Sequence, residues 1–362
     1  MDSHFNPTRL QIARRRLGLT ITALSREAGI STKSLSSFEN GHTTPTGTTL
    51  NALAAALEVA PSFLVASDMD EIPLGAVSFR ALSKMTARQR DRGLAAGSIA
   101  YLINDWIEAR FVLPTADIPT LVGRTPAGAA QEIRARWGLG DRPIGNVVHL
   151  LEAHGVRVYS LTQANHNLDA FSTAWRGQPF VFLNTAKSGE RGRFDAAHEL
   201  GHLVLHGDYA RPEGPAAETE ANLFAAALLM PESGVLAQGL RNAHAARLIQ
   251  AKSKWGVSAM ALAHRAHELG QMTEWAYRSA CVDLSRLGYR RGEPGGIERE
   301  GSQLLSKVLH HLHAQKEGIS TIATDLGLTT HEVRDHMFGL VPTVVHGEGL
   351  GTHGRGALRL ID

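Results

Sequence analysis

His198-Glu199-Leu200-Gly201-His202 sets two imidazoles four residues apart with a carboxylate beside the first. Residues four apart on a helix lie one above the other, so both rings face one point and can chelate a single ion. Two imidazoles and an adjacent carboxylate indicate the chemistry of a zinc (Zn2+) hydrolase. Zinc makes a water nucleophilic near neutral pH, and Glu199 is the candidate catalytic group that takes its proton and returns it to the leaving amine. Ala196, Ala197, Leu200, Leu203 and Leu205 make the rest of the segment apolar, so a helix buried on its other side is expected.

A catalytic zinc takes three protein ligands and keeps a fourth position open. The metzincin pattern needs a glycine at position 205 and a histidine at position 208, where the chain has Leu205 and Asp208. His206 stands roughly 6 Å further along the helix, and a straight helix does not wrap three successive turns round one ion. A hydrogen-bonding place at the helix end suits it better. Carboxylates remain. Glu218 and Glu220 open a second expected helix, 217–229, which Pro231 stops, and Ala221, Asn222, Phe224 and Ala225 after Glu220 form a face that allows that helix a close approach.

The run from Arg193-Phe194-Asp195-Ala196-Ala197 through the metal motif to Leu203-Val204-Leu205-His206 resembles the ImmA/IrrE family of metallopeptidases. Glu218-Thr219-Glu220-Ala221-Asn222-Leu223-Phe224-Ala225 and Leu228-Leu229-Met230-Pro231 extend the resemblance, which runs from Ser78-Phe79-Arg80 through Val257-Ser258 to Glu293-Pro294. It implies a zincin-like peptidase domain with one zinc on His198, His202 and Glu220, the last being the family's glutamate before Ala-Asn.

The elements that must position these groups are legible in outline. Residues 156–161, 170–175 and 180–183 are rich in β-branched and aromatic residues, with turn chemistry at Arg176-Gly177-Gln178-Pro179, so a small antiparallel sheet is expected ahead of the metal helix. In zincins an edge strand over that helix pairs with extended substrate, a place assigned to 180–183. A donor to the developing oxyanion is sought among Tyr209, His264 and His267.

Residues 8–66 read as five short helices: 9–17, 21–28, 32–40, 48–57 and a last turn near Pro61. Thr20-Ile21, Leu24, Ala28-Gly29-Ile30-Ser31 and Glu39-Asn40-Gly41 resemble DNA-binding domains of the Cro and Xre phage-repressor type. The resemblance places Thr32, Lys33, Ser36 and Ser37 of the second helix at base edges or phosphates of duplex DNA. Ile21 stands where such domains commonly carry glutamine, so one backbone contact is missing. Six cations (Arg9, Arg14, Arg15, Arg16, Arg26, Lys33) against Glu27 and Glu39 leave a net +4 over residues 8–41. That local excess is what a phosphate backbone would meet.

Over all 362 residues the net charge is only +2, so basicity overall does not mark a nucleic-acid binder. The apolar runs fall short of the ~20 residues a membrane span needs, the N-terminus lacks a secretion-type apolar core, and Cys281 is the sole cysteine. A cytoplasmic location, with no membrane contact, is expected. The fold expected is α+β, mainly α. Its parts are a five-helix helix-turn-helix domain (1–66), a helical linker region opening on a linker at 68–73 (67–126), the zincin-like domain (127–294) and a C-terminal module (295–362). In the last, 319–328 and 329–337 form a second helix-turn-helix-like pair, followed by Val344-Val345 and Leu358-Arg359-Leu360, read as a packing or oligomerisation module. The partners expected are duplex DNA, a protein substrate of the repressor type and a second copy of the chain in a homodimer. Two functions compete: a peptidase coupled to transcription in a stress or DNA-damage response, and a transcription regulator whose zincin domain only senses. The intact Glu199 favours the first, since sensing needs no general base.

Overall fold

The computed structural model describes residues 4–73, 86–161, 170–207, 214–290, 292–341 and 359–360. They fall into two units, one drawn from 1–113, 159–168 and 304–362 and the other from 114–158 and 169–303. Among the described residues no helix is long and apolar enough to cross a membrane.

The first unit begins with α1 (Pro7–Arg16), α2 (Ile21–Ala28), α3 (Thr32–Glu39), α4 (Gly47–Ala56) and α5 (Pro61–Leu64), the five helices expected. Asn6, Thr20, Ser31 and Thr46 each cap the following helix by accepting from a backbone N–H three residues on. Gly29 ends α2 at φ +67°, a left-handed conformation that a side chain would strain. Leu10, Leu24, Leu35, Leu53 and Phe63 are fully buried between these helices. The linker expected at 68–73 is packed against the helices around it. Asp68 accepts from the Asn6 amide at 2.8 Å, Met69 and Ile72 are buried, and the Ile72 N–H donates to Ser98 Oγ at 3.2 Å. Ser98 lies on α6 (Ala87–Glu108), which opens with a Thr86–Gln89 capping box. Along its length Arg92 donates to the Arg16 carbonyl at 3.0 Å and Arg88 to that of Gly18, satisfying acceptors left open where α1 ends. β1 (Phe111–Val112) follows.

The second unit holds α7 (Pro126–Arg136), α8 (Val147–Ala153), the first half of β2 (Arg157–Ser160), β3 (Phe171–Trp175), β4 (Gln178–Leu183), α9 (Gly189–His206), α10 (Pro215–Leu229), α11 (Glu232–Leu236), α12 (Ala245–Lys252), α13 (Ala259–Glu268) and α14 (Glu274–Arg286). β3 and β4 form the antiparallel hairpin expected, in register from Phe171 opposite Phe182 to Trp175 opposite Gln178. Arg176 (φ +50°) and Gly177 (φ +76°) make its two-residue turn, the twist-compatible kind. The strand order is β2-β4-β3 in a mixed sheet, so the sheet is not antiparallel throughout as expected. β4 is therefore the central strand. Its backbone groups are committed to neighbours on both sides, which removes 180–183 from the role of a substrate-pairing edge; β3 lies at an edge.

α15 (Gln303–Ala314), α16 (Ile319–Leu326) and α17 (Thr330–Met337) return the chain to the first unit, and β5 (Arg359–Leu360) pairs antiparallel with β1. α16, Gly327 at φ +67° and α17 repeat the geometry of α2, Gly29 and α3. This pair does not stand apart as a domain of its own. The Gly327 carbonyl accepts from the Ala60 N–H at 2.8 Å, Asp325 accepts from Trp106 Nε1 at 2.8 Å, and Glu332 accepts from Arg16. Two short helices are too small to bury Ile322, Val333 and Met337 by themselves, so they share the core of the N-terminal helices.

The Arg16–Glu332 pair makes a testable link. Against the cost of burial, His336 and Arg16 hold the Glu332 carboxyl down to about 2. A folded-state pKa below the unfolded one gives stability that is whole above about pH 4.3 and lost as pH falls towards 2. Glu332→Gln is expected to cost about 3 kcal/mol at pH 7, because it leaves Arg16 buried without its anion. Urea melts of the full chain should show the gap from wild type closing between about pH 4 and pH 2. A gap independent of pH would contradict the assignment.

Candidate functional site

α9 is fixed before it carries any chemistry. Ser188 caps it, and at Gly189 a Cβ would lie 2.5 Å from the Ile297 carbonyl oxygen, so only glycine fits. Arg193 donates to the Trp255 carbonyl at 3.1 Å and also to the Ile144 carbonyl and the Glu300 carboxylate. Lys252 sits buried between Glu190 (3.0 Å) and Glu293 (2.9 Å), and Asp195 accepts from Lys187 and Arg191. Further along, Gly201 lets α10 approach closely: a Cβ there would lie 3.0 Å from the Phe224 ring and 3.2 Å from Ala221 Cα.

That approach assembles the site. His198 Nε2 and His202 Nε2 are 3.0 Å apart, and the two oxygens of Glu218 lie 3.3 Å from one ring nitrogen each. One ligand atom from each of the three residues falls within 4.8 Å of the others. Four-coordinate zinc with bonds of 2.0–2.1 Å spaces its ligand atoms about 3.3 Å apart, close to what these residues adopt. Their protonation agrees. Asn222 Oδ1, 3.1 Å from His198 Nδ1, can only accept, so His198 carries its proton on Nδ1 and turns the Nε2 lone pair inward. Acceptors converge here, and a cation satisfies them.

Glu220, the third ligand expected, does not reach this cluster. Its side chain is half exposed and its Oε2 accepts from His206 Nε2 at 2.9 Å. The reason is helical phase. Glu218, Ala221, Asn222 and Ala225 follow the i, i+3, i+4, i+7 stripe that faces α9, and Glu220 stands about 200° round the helix from Glu218. The stripe is present in the sequence, but that it is the face turned to α9 is set by the close approach at Gly201.

Glu199 is buried next to the cluster, and its Oε2 has no hydrogen-bond partner among the described residues. Burial raises its pKa; the nearby imidazoles of His202 and His198 and the Ser172 hydroxyl oppose the rise without cancelling it. Ser172, on edge strand β3, was not foreseen as a neighbour. Of the oxyanion donors considered, Tyr209 lies outside the described residues. His264 and His267 face α14 instead: both rings pack against Tyr277, with centroids 6.2 and 4.6 Å away, and His267 also meets Glu274.

In the first unit, α3 leaves Thr32 and Lys33 exposed, as its reading as a recognition helix requires. Ser36 is half-buried with its carbonyl accepting from the Asn40 amide at 2.8 Å, and Ser37 Oγ meets Thr43 Oγ1 at 2.8 Å. The basic excess around α1 is engaged by partners within the chain, only Arg15 remaining at the surface. Arg14 binds Glu39 through two nitrogens (2.5 and 2.9 Å), Arg15 binds Glu71 (2.9 Å), Arg16 binds Glu332, and Arg9 donates to the Ser67 carbonyl at 2.6 Å. Arg26 and Lys33 are the exposed cations of α2 and α3.

Residues 151–267 match the family model of the IrrE N-terminal-like domain, a peptidase family, and residues 10–64 match that of a helix-turn-helix domain. Residues 10–64 and 151–267 thus place a helix-turn-helix domain and an IrrE N-terminal-like domain on one chain. The peptidase match takes in β2 to β4, both metal-site helices and α13, and the helix-turn-helix match ends at α5. No curated protein matches the chain.

Proposed function

We propose that this peptidase domain is a zinc-dependent endopeptidase whose metal is held by His198, His202 and Glu218, and that it cuts a helix-turn-helix repressor in a stress or DNA-damage response. The observation that carries the reading is the convergence of two imidazole nitrogens and a carboxylate at 3.0–3.3 Å beside a buried Glu199. Zinc, when bound, supplies the Lewis acidity that makes water nucleophilic near neutral pH. Glu199, buried beside the position the metal would take, would accept a proton from the attacking water and pass it to the leaving amine. Its burial keeps bulk water from competing for the proton. β3, at the sheet edge and carrying Ser172 beside Glu199, is the strand along which an extended substrate would pair.

A separate repressor is the preferred substrate, with the chain itself second. A tethered segment profits from a high effective concentration, but only if it can enter the site extended. Residues 68–73, the linker considered for a cut in cis, are held by the buried Met69 and Ile72. Zinc-loaded protein incubated with repressors encoded beside its gene should yield one internal cut in the repressor, seen on a gel. Absence of any such cut, with and without DNA-damage or stress signals, would favour the sensing regulator.

The N-terminal domain is proposed to bind duplex DNA through Thr32, Lys33, Ser36 and Ser37. With Arg14, Arg15 and Arg16 ion-paired, phosphate contact falls to few cations. Lys33→Ala is expected to weaken binding evenly across sequences and to lower the slope of log affinity against log salt by about 1. An unchanged slope in titrations of mixed genomic fragments would take Lys33 off the backbone.

A further inference from the structure

His206 and Glu220 lie outside the metal cluster, yet a chain of hydrogen bonds joins them to it. His202 Nδ1 is 3.1 Å from His206 Nδ1, and His206 Nε2 is 2.9 Å from Glu220 Oε2. The direction of each bond follows from the far end. A carboxylate only accepts, so His206 carries its proton on Nε2 and donates it to Glu220. Its Nδ1 is then a lone pair, and the 3.1 Å contact is made only if His202 donates from its own Nδ1. His202 Nε2 is thereby left unprotonated, aimed at His198 Nε2 and Glu218.

We infer that the His206–Glu220 pair is a positioning device that locks His202 in the one tautomer able to bind the metal. The inference rests on the zinc reading of the site. It gives Glu220 a role without making it a ligand, and it gives His206 one at the end of α9. Asn222 does the same for His198 with a single acceptor, so each imidazole has its own partner on or through α10. Outer partners of this kind fix ring orientation and raise ligand basicity.

The test is zinc affinity of the full chain by competition with a chromophoric chelator, together with the absorption spectrum of the cobalt(II)-substituted protein. Glu220→Ala, at a half-exposed position, and His206→Phe are expected to weaken zinc binding about 10- to 100-fold and to alter the cobalt spectrum. His206→Asn, which restores an acceptor near Nδ1, should recover most of the affinity; a role in packing alone would not be rescued this way. Wild-type affinity and spectrum in both Glu220→Ala and His206→Phe would overturn the inference. Failure of the wild-type chain itself to bind zinc would overturn the metal reading and this inference with it. The metal-free melting temperature of each variant separates loss of affinity from loss of fold.

Discussion

Glu199→Gln is expected to bind one zinc as the wild type does and to hydrolyse substrate about 10²- to 10⁴-fold more slowly. Glutamine has the same shape, so the buried space between α9 and β3 stays filled and His198, His202 and Glu218 keep their places. What is lost is the basic oxygen. Glu199 Oε2 has no other described hydrogen-bond partner, and an amide there cannot take a proton at neutral pH. Zinc content by atomic absorption and kcat/KM on a cleaved repressor separate the two effects. Undiminished cleavage by the variant would remove Glu199 from the mechanism.

Glu218→Ala should produce the larger loss in metal binding. It removes one of three proposed ligand groups, whereas Glu220→Ala changes an outer partner whose loss costs about 10- to 100-fold. After dialysis against a weak chelator, wild type and Glu220→Ala should differ in affinity but both retain zinc when it is supplied in excess. Glu218→Ala should remain largely empty. The reverse order, zinc lost only from Glu220→Ala, would restore Glu220 as the ligand.

The contrast between these two glutamates shows where sequence reading stops. The metal helix, the hairpin before it and the small-residue approach of α10 were legible because each depends on local periodicity or turn chemistry: His198 and His202 four apart, Arg176-Gly177 between strands, and Ala221 and Ala225 on one stripe. Choosing between Glu218 and Glu220 required the phase of α10 against α9, which Gly201 and Phe224 set in three dimensions. The basic run at Arg14, Arg15 and Arg16 misled for a related reason. Its partners Glu39, Glu71 and Glu332 stand between 25 and 316 residues away, and no local count of charge reveals them. The same long separation joins α16 and α17 to the N-terminal helices and dissolves the domain boundary expected near residue 295. β4 kept its predicted residues and lost its predicted role, because strand order is not encoded in the strand itself.

The most direct test of the account is mass spectrometry of helix-turn-helix repressors encoded beside the gene after incubation with zinc-loaded wild type, Glu199→Gln and Glu218→Ala. The account predicts a single internal cut made by the wild type and by neither variant. A cut of equal yield with all three proteins, or none with the zinc-loaded wild type under DNA-damage and stress conditions, would contradict it.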